Sequence, residues 1–178
     1  MSITRTFAAC SLAALSFSSV AAADEVEVYL TDMLDNIQVG YCLDIAGGKE
    51  YNVDIEDGLQ GHTCYSNLGA LGADQVFDTE RFADGELFMT NFDVCAELES
   101  TSEGASIGLA DCDGSDLQTF TFTGEGVISP ASAPEMCLTV GEDTRSGRSD
   151  TNQIKVLSLE ACSDAQAGYQ EWAVRGVE

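Results

Sequence analysis

Apolar and polar residues alternate along this chain in short runs, and no window sustains the 3.6-residue period of a capped amphipathic helix. Glu25-Val26-Glu27-Val28-Tyr29-Leu30 alternates strictly and predicts a strand. Asp35-Asn36 marks a turn, and Ile37 to Leu43 leads into the next apolar run. Glu86 to Met89, Asp93 to Cys95, Ser106 to Leu109 and Phe120 to Phe122 predict further short strands, and Ile154 to Leu159 predicts the clearest late one. Both prolines, Pro130 and Pro134, fall in SPASAPEM, which reads as a connection because a missing backbone donor does least harm there. Short strands at regular spacing with Gly and Asp turns predict an all-β sandwich or barrel.

The pattern recurs three times. Cys42 and Cys64 lead to Gln75-Val76-Phe77, Cys95 and Cys112 to Gln118-Thr119-Phe120, and Cys137 and Cys162 to Gln170-Glu171-Trp172. The copies start roughly forty to fifty residues apart, a period found in propeller blades and solenoids. Three copies are too few for a propeller, so a closed threefold architecture fits better.

Length predicts one domain. Met1 to Ala23 has Arg5, an apolar run from Phe7 to Val20 and Ala21-Ala22-Ala23 before Asp24, the pattern of a secretory signal peptide. The run is too short to span a bilayer, and Cys10 sits too early for a lipoprotein box. The remaining 24–178 reads as one domain with repeats at about 41–85, 86–129 and 130–178. No second apolar segment follows, so no membrane insertion is expected, and the protein is expected to be secreted or periplasmic. Loss of Cys10 leaves six cysteines, an even number that in an exported chain reads as disulfides. Of the fifteen pairings that six cysteines allow, the repeat selects Cys42–Cys64, Cys95–Cys112 and Cys137–Cys162. Zinc is a poor reading, with no C-x-x-C pair and His62 as the single histidine. The net charge of −24 argues against nucleic acid and anionic lipid as partners, because both are bound through basic residues. Ordinary apolar content, with cysteines and aromatics spread along the chain, argues against disorder.

C-L-D at Cys42-Leu43-Asp44, an apolar strand ending in Cys, and Gln-x-Trp or Gln-x-Phe together resemble the ricin-type β-trefoil lectin family, over Tyr41 to Trp172. The resemblance implies a twelve-strand β-trefoil, about four strands per repeat. It places Phe77, Phe120 and Trp172 in the core near the threefold axis, where an aromatic supplies a large apolar area. Each partner Gln is expected to satisfy backbone groups.

The family's sugar site takes a carboxylate two residues after the first cysteine. It takes a Gln and an aromatic four and two residues before the second cysteine, and a polar residue, usually Asn, before the Gln of Gln-x-Trp. Copy one holds Asp44, Gln60, His62 and Asp74 at these positions, with Gln75 following. Copy two holds Glu97, Gly108, Ala110 and Leu117, and copy three Thr139, Ser158, Glu160 and Tyr169. One carbohydrate site is therefore expected, in copy one, with His62 as the platform for the ring. His62 and Asp74 depart from the family's aromatic and Asn, so galactose specificity does not carry over. Two carboxylates facing one pocket raise one pKa or hold a hard cation such as calcium.

Arg145 and Arg148, with Lys155 nearby, read either as a patch for an acidic glycan or as a surface loop offset by Glu142, Asp143 and Asp150; the loop reading is preferred. The acidic loop Glu50 to Asp57 reads as solvated. The chain lacks H-E-x-x-H and a P-loop. The expected function is a non-enzymatic binder of a glycan or polysaccharide. The alternative is a trefoil scaffold for a protein partner, an inhibitor or envelope assembly factor, with no sugar site.

Overall fold

The computed structural model describes residues 25–66 and 71–176, so the signal-peptide segment Met1 to Ala23 lies outside the described residues. Three similar units follow one another. The first has β1 (Glu25–Leu30), β2 (Tyr41–Ile45), β3 (Leu59–Thr63) and β4 (Phe77–Asp78). The second has β5 (Phe88–Met89), β6 (Val94–Leu98), β7 (Ile107–Ala110) and β8 (Phe120–Thr121). The third opens with β9 (Glu125–Val127) and β10 (Ser129–Pro130), followed by β11 (Met136–Val140). It then has β12 (Arg145–Ser146), β13 (Gln153–Lys155), β14 (Leu157–Ala161) and β15 (Glu171–Arg175).

Each unit centres on one antiparallel hairpin: β2 with β3, β6 with β7, and β11 with β14. All three expected disulfides are present, Cys42–Cys64, Cys95–Cys112 and Cys137–Cys162, one per hairpin. First and last strands meet, since β1 pairs with both β15 and β4. The apolar faces of the hairpins turn inward with Phe77, Phe120 and Trp172, which are buried as expected. Trp172 also donates its indole N–H to Leu138 O at 3.1 Å, so its one polar atom is satisfied in the core.

The Gln of each Gln-x-aromatic triplet straddles the second cysteine of its unit. Gln75 donates to Thr63 O and accepts from Tyr65 N–H; Gln118 does the same with Asp111 O and Asp113 N–H, and Gln170 with Ala161 O and Ser163 N–H. These are main-chain groups that the hairpin ends leave unpaired.

Two readings of the late chain are corrected. Ile154 to Leu159 is not one strand. It breaks at the exposed Val156, so that β13 pairs with β3 while β14 pairs with β11. The apolar residues Ile154, Leu157 and Leu159 are buried on both sides of the break, in different sheets. Pro130 lies not in a connection but at the end of β10, opposite Phe120. Its carbonyl is what the structure uses, accepting from Ala133 N–H.

The break at Val156 has a larger consequence. The hairpin of β12 and β13 belongs to the third unit but extends the sheet of the first, in the order β12-β13-β3-β2. Ile154 pairs with His62, and Lys155 with Gly61. A Cβ at Gly61 would come within 2.9 Å of the Val140 side chain, so the glycine permits this close approach of units one and three.

Candidate functional site

Register places three of the predicted residues on one face. In the β2–β3 ladder Cys42 is opposite His62 and Asp44 opposite Gln60. Residues two apart on a strand share a face, so Asp44, Gln60 and His62 lie together. Ile154 and Arg145 continue the row across β13 and β12. The alternate residues Tyr41, Leu43, Ile45 and Leu59 enter the core.

Asp44 lies at the centre of a buried network. Its Oδ1 accepts from Gln60 Nε2 at 2.8 Å and its Oδ2 from Gln75 Nε2 at 2.9 Å. Gln60 Oε1 in turn accepts from Arg145 Nη2 at 3.2 Å. Burial, and then the Asp74 charge, push the Asp44 carboxyl well above the ordinary carboxylate range, while the two amide bonds pull it down. Asp74 is buried as well, and neither of its carboxylate oxygens has a hydrogen-bond partner of normal geometry. Its pKa is pushed up to about 6, chiefly by burial, against the opposing pull of the backbone N–H groups of Asp74 itself and Glu50. Among the described residues, no cluster of three metal-ligating groups forms around Asp44 and Asp74.

A cleft of about 310 Å³ opens over this face. Of the predicted residues, Gln60 and His62 line it, while Asp44, Asp74 and Gln75 stand behind its wall. The His62 ring is mostly buried, its Nδ1 paired with Thr63 O at 2.9 Å. Its pKa is lowered, first by burial and then by the charges of Arg145 and Lys49, against the Thr63 bond.

Sequence reasoning missed Tyr65 and undervalued two arginines. The Tyr65 ring lies 5.3 Å from that of His62 and lines the cleft with it. The signal was an aromatic directly after Cys64, where the other units have Asp113 and Ser163. Arg145 and Arg148 also line the cleft, so they do not simply decorate a solvated loop. Among the described residues, neither has a carboxylate within 4 Å; Glu142, Asp143 and Asp150 do not offset them as ion pairs. Lys155 does not belong with them. It is buried on the opposite face, donating to Glu142 O at 2.8 Å and pairing with Asp35. A second hollow, about 510 Å³, runs along residues 35–39 and 150–153, and none of the predicted site residues lines it.

Units two and three keep the anchor without the site. Gln118 donates to Glu97 and Gln170 to Thr139, as Gln75 does to Asp44. Opposite those anchors stand Gly108 and Ser158, neither of which carries an amide like Gln60.

Three hairpin units closed by paired terminal strands, each with a Gln bridging its second cysteine, define a β-trefoil. The chain belongs to the ricin-type β-trefoil lectin domain family, whose model matches residues 83–177. That match spans the second and third units and leaves out the cleft-bearing hairpin of β2 and β3. No curated protein sequence matches the chain.

Among solved structures, the designed threefold-symmetric protein ThreeFoil is similar at TM-score 0.56 and 18% identity, over 84% of this chain and 96% of that one. The C-terminal domain of an earthworm lectin, a mutant in complex with 6'-sialyllactose, is similar at 0.55 and 16%, over 86% and 98%. A non-toxic homologue of type II ribosome-inactivating proteins (RIPs) from bitter gourd, Momordica charantia, in complex with α-methyl-D-galactoside, is similar at 0.51 and 22%. That alignment covers 85% of this chain and 48% of the other. At these identities the likeness is one of fold.

Proposed function

We infer that this is an exported, non-enzymatic carbohydrate-binding protein with one sugar site, in its first repeat. Asp44, Gln60, His62, Asp74 and Gln75 build the site, with Tyr65 beside them. The observation that carries the reading is the relay Gln75–Asp44–Gln60, which fixes an amide at the wall of a cleft next to two aromatic rings. Units two and three retain only the first link. A sugar site needs polar groups held in place beside an apolar ring face, and a buried anchor removes the entropy of holding them.

The ligand is a glycan or polysaccharide. The strongly acidic composition disfavours nucleic acid. Export is supported by Met1 to Ala23 and by three disulfides. No helix among the described residues is long and apolar enough to cross a membrane.

A glycan array probed with the oxidised protein tests the reading, repeated with Gln60→Ala. Binding lost in that variant supports the site. Failure of the wild type to bind any glycan, with or without calcium, would move the reading to a trefoil scaffold for a protein partner.

A further inference from the structure

Six basic residues follow the signal-peptide segment, against a large excess of Asp and Glu. Three of them are neutralised locally. Arg81 pairs with Glu86, Arg175 with Glu27, and Lys155 with Asp35. Among the described residues, the other three, Lys49, Arg145 and Arg148, have no carboxylate within 4 Å, and all three line the same cleft. They come from two distant parts of the chain. Lys49 is on the loop after β2, its ammonium 4.9 Å from the centre of the Tyr65 ring. Arg145 and Arg148 arrive on the β12–β13 hairpin that unit three lends to unit one.

In a chain this acidic, nearby carboxylates are plentiful, yet among the described residues these three cations have none within 4 Å. Three converging on one concave surface make a local positive field that a neutral sugar does not need. Arg145 spends one Nη on Gln60, which orients its guanidinium at the wall; Arg148 makes no side-chain hydrogen bond among the described residues. Guanidinium groups match the planar or tetrahedral oxygens of carboxylate and sulfate with paired donors. Acidic groups stand nearby, but none of them is paired with the three cations. Glu50 is turned to Ala73 N–H, Asp57 lies against Gly47, and Asp44 and Asp74 are buried behind the wall.

We propose that the cleft recognises an acidic saccharide, one whose carboxylate or sulfate group is held by Lys49, Arg145 and Arg148 while its ring rests near Tyr65 and Gln60. The proposal rests on the carbohydrate reading above and names its ligand class.

The test is a panel of oligosaccharides in matched pairs. Trigalacturonic acid is set against its methyl ester, and a 6-sulfated galactoside against the unsulfated sugar, each titrated into the oxidised full protein. The acidic member is expected to bind at least ~10-fold tighter in one pair or both, and which pair responds distinguishes carboxylate from sulfate as the group held. Arg148→Gln, an exposed position, is expected to remove most of that preference while leaving the thermal melt unchanged. Arg81→Gln removes the same charge outside the cleft and is expected to leave the preference intact. Equal affinity within both pairs, or a preference that survives Arg148→Gln and Lys49→Gln together, overturns this proposal and leaves the carbohydrate reading standing. Binding of neither member of either pair overturns the proposal, and the array then decides whether the carbohydrate reading falls with it.

Discussion

Gln75 donates its side-chain amide to Asp44 at 2.9 Å, thirty-one residues earlier in the chain, and both groups are sealed from solvent. The same bond recurs as Gln118 to Glu97 at 2.8 Å and Gln170 to Thr139 at 2.9 Å. The position that the family pattern marks as the sugar carboxylate is thus an anchor in every unit, whether or not a site accompanies it. Asp44 differs in holding a second amide, that of Gln60.

Asp44→Ala is therefore expected to cost stability as well as binding. It strands two buried amide donors, each lost bond costing ~1–3 kcal/mol. Glu97→Ala strands one donor at a half-buried position and is expected to cost less and leave glycan binding unchanged. Denaturant melts of the two variants beside a glycan titration check this. A destabilised Glu97→Ala with a fully stable Asp44→Ala would contradict the anchor role.

Asp74 makes the first unit sensitive to pH. Its folded pKa, about 6, lies above its ordinary value of 3.8, so the folded state holds a proton that the unfolded chain releases across that window. Stability from this group is therefore full below about pH 4 and falls as pH rises toward 6. Asp74→Asn removes the buried charge and is expected to raise stability at pH 7 by up to ~3 kcal/mol, the free energy that corresponds to the displaced pKa, and to leave it unchanged at pH 4. The lowered pKa of His62 acts in the other direction, removing stability as pH falls below 6.5, so the difference between wild type and Asp74→Asn across pH is the quantity to measure. A variant equally stabilised at pH 4 and 7 would show that titration is not the cause.

The disulfides are expected to contribute similarly to stability and unequally to binding. Sequence separations of 22, 17 and 25 residues differ little on a logarithmic scale, so each bridge is worth ~3 kcal/mol in the chain-entropy account. Only Cys42–Cys64 joins the strands that hold Gln60 and His62. Replacing that pair by serines is expected to weaken glycan binding under conditions where the protein is still folded, and replacing Cys95 and Cys112 is not. Peptide mapping without reduction checks the pairings, and a cross-repeat bridge would contradict them.

Trp172→Ala should cost ~3–5 kcal/mol, the usual range for truncating a fully buried aromatic, with no direct loss of affinity. Trp172 is in the core against Leu138, away from the cleft. Unchanged stability with lost binding would place the aromatic in the site instead.

Much of this was readable because it is local. Cysteine spacing and the Gln-x-aromatic triplets repeat in register, and a repeat needs no knowledge of distant pairing. Asp44 and Gln60 were nominated by offset from Cys42 and Cys64, and the ladder sets them face to face. What was not readable is pairing between units. Nothing in residues 145–155 announces that they will dock on β3, since strand partners distant in sequence leave no periodic trace. The run Ile154 to Leu159 even disguised the break that frees β13 to do so. Lys155 was grouped with the arginines by proximity in sequence, yet alternation along β13 sends it to the opposite face. Tyr65 was passed over because the family template looks before the second cysteine, not after it.

Tyr65 carries the last prediction. His62 and Tyr65 are both largely buried, but His62 is pinned to Thr63 and the Tyr65 ring is the larger of the two that reach the cleft. The exposed part of the ring is small, so covering it is worth less than the ~1.5–3 kcal/mol of burying a whole side chain, but a millimolar interaction amounts to only ~4 kcal/mol in all. Tyr65→Ala is therefore expected to weaken glycan binding by up to ~10-fold. Tyr65 also packs on Gly72, so the alanine leaves a void and costs some stability. Tyr65→Phe separates the two effects. It keeps the ring, its packing and its contact with Lys49 while deleting a hydroxyl that makes no protein hydrogen bond among the described residues. Its binding is expected to stay within about twofold of wild type. Affinity lost equally in Tyr65→Phe and Tyr65→Ala would assign the contribution to the hydroxyl. Affinity kept in both, measured by titration below the melting transition, would return the platform to His62.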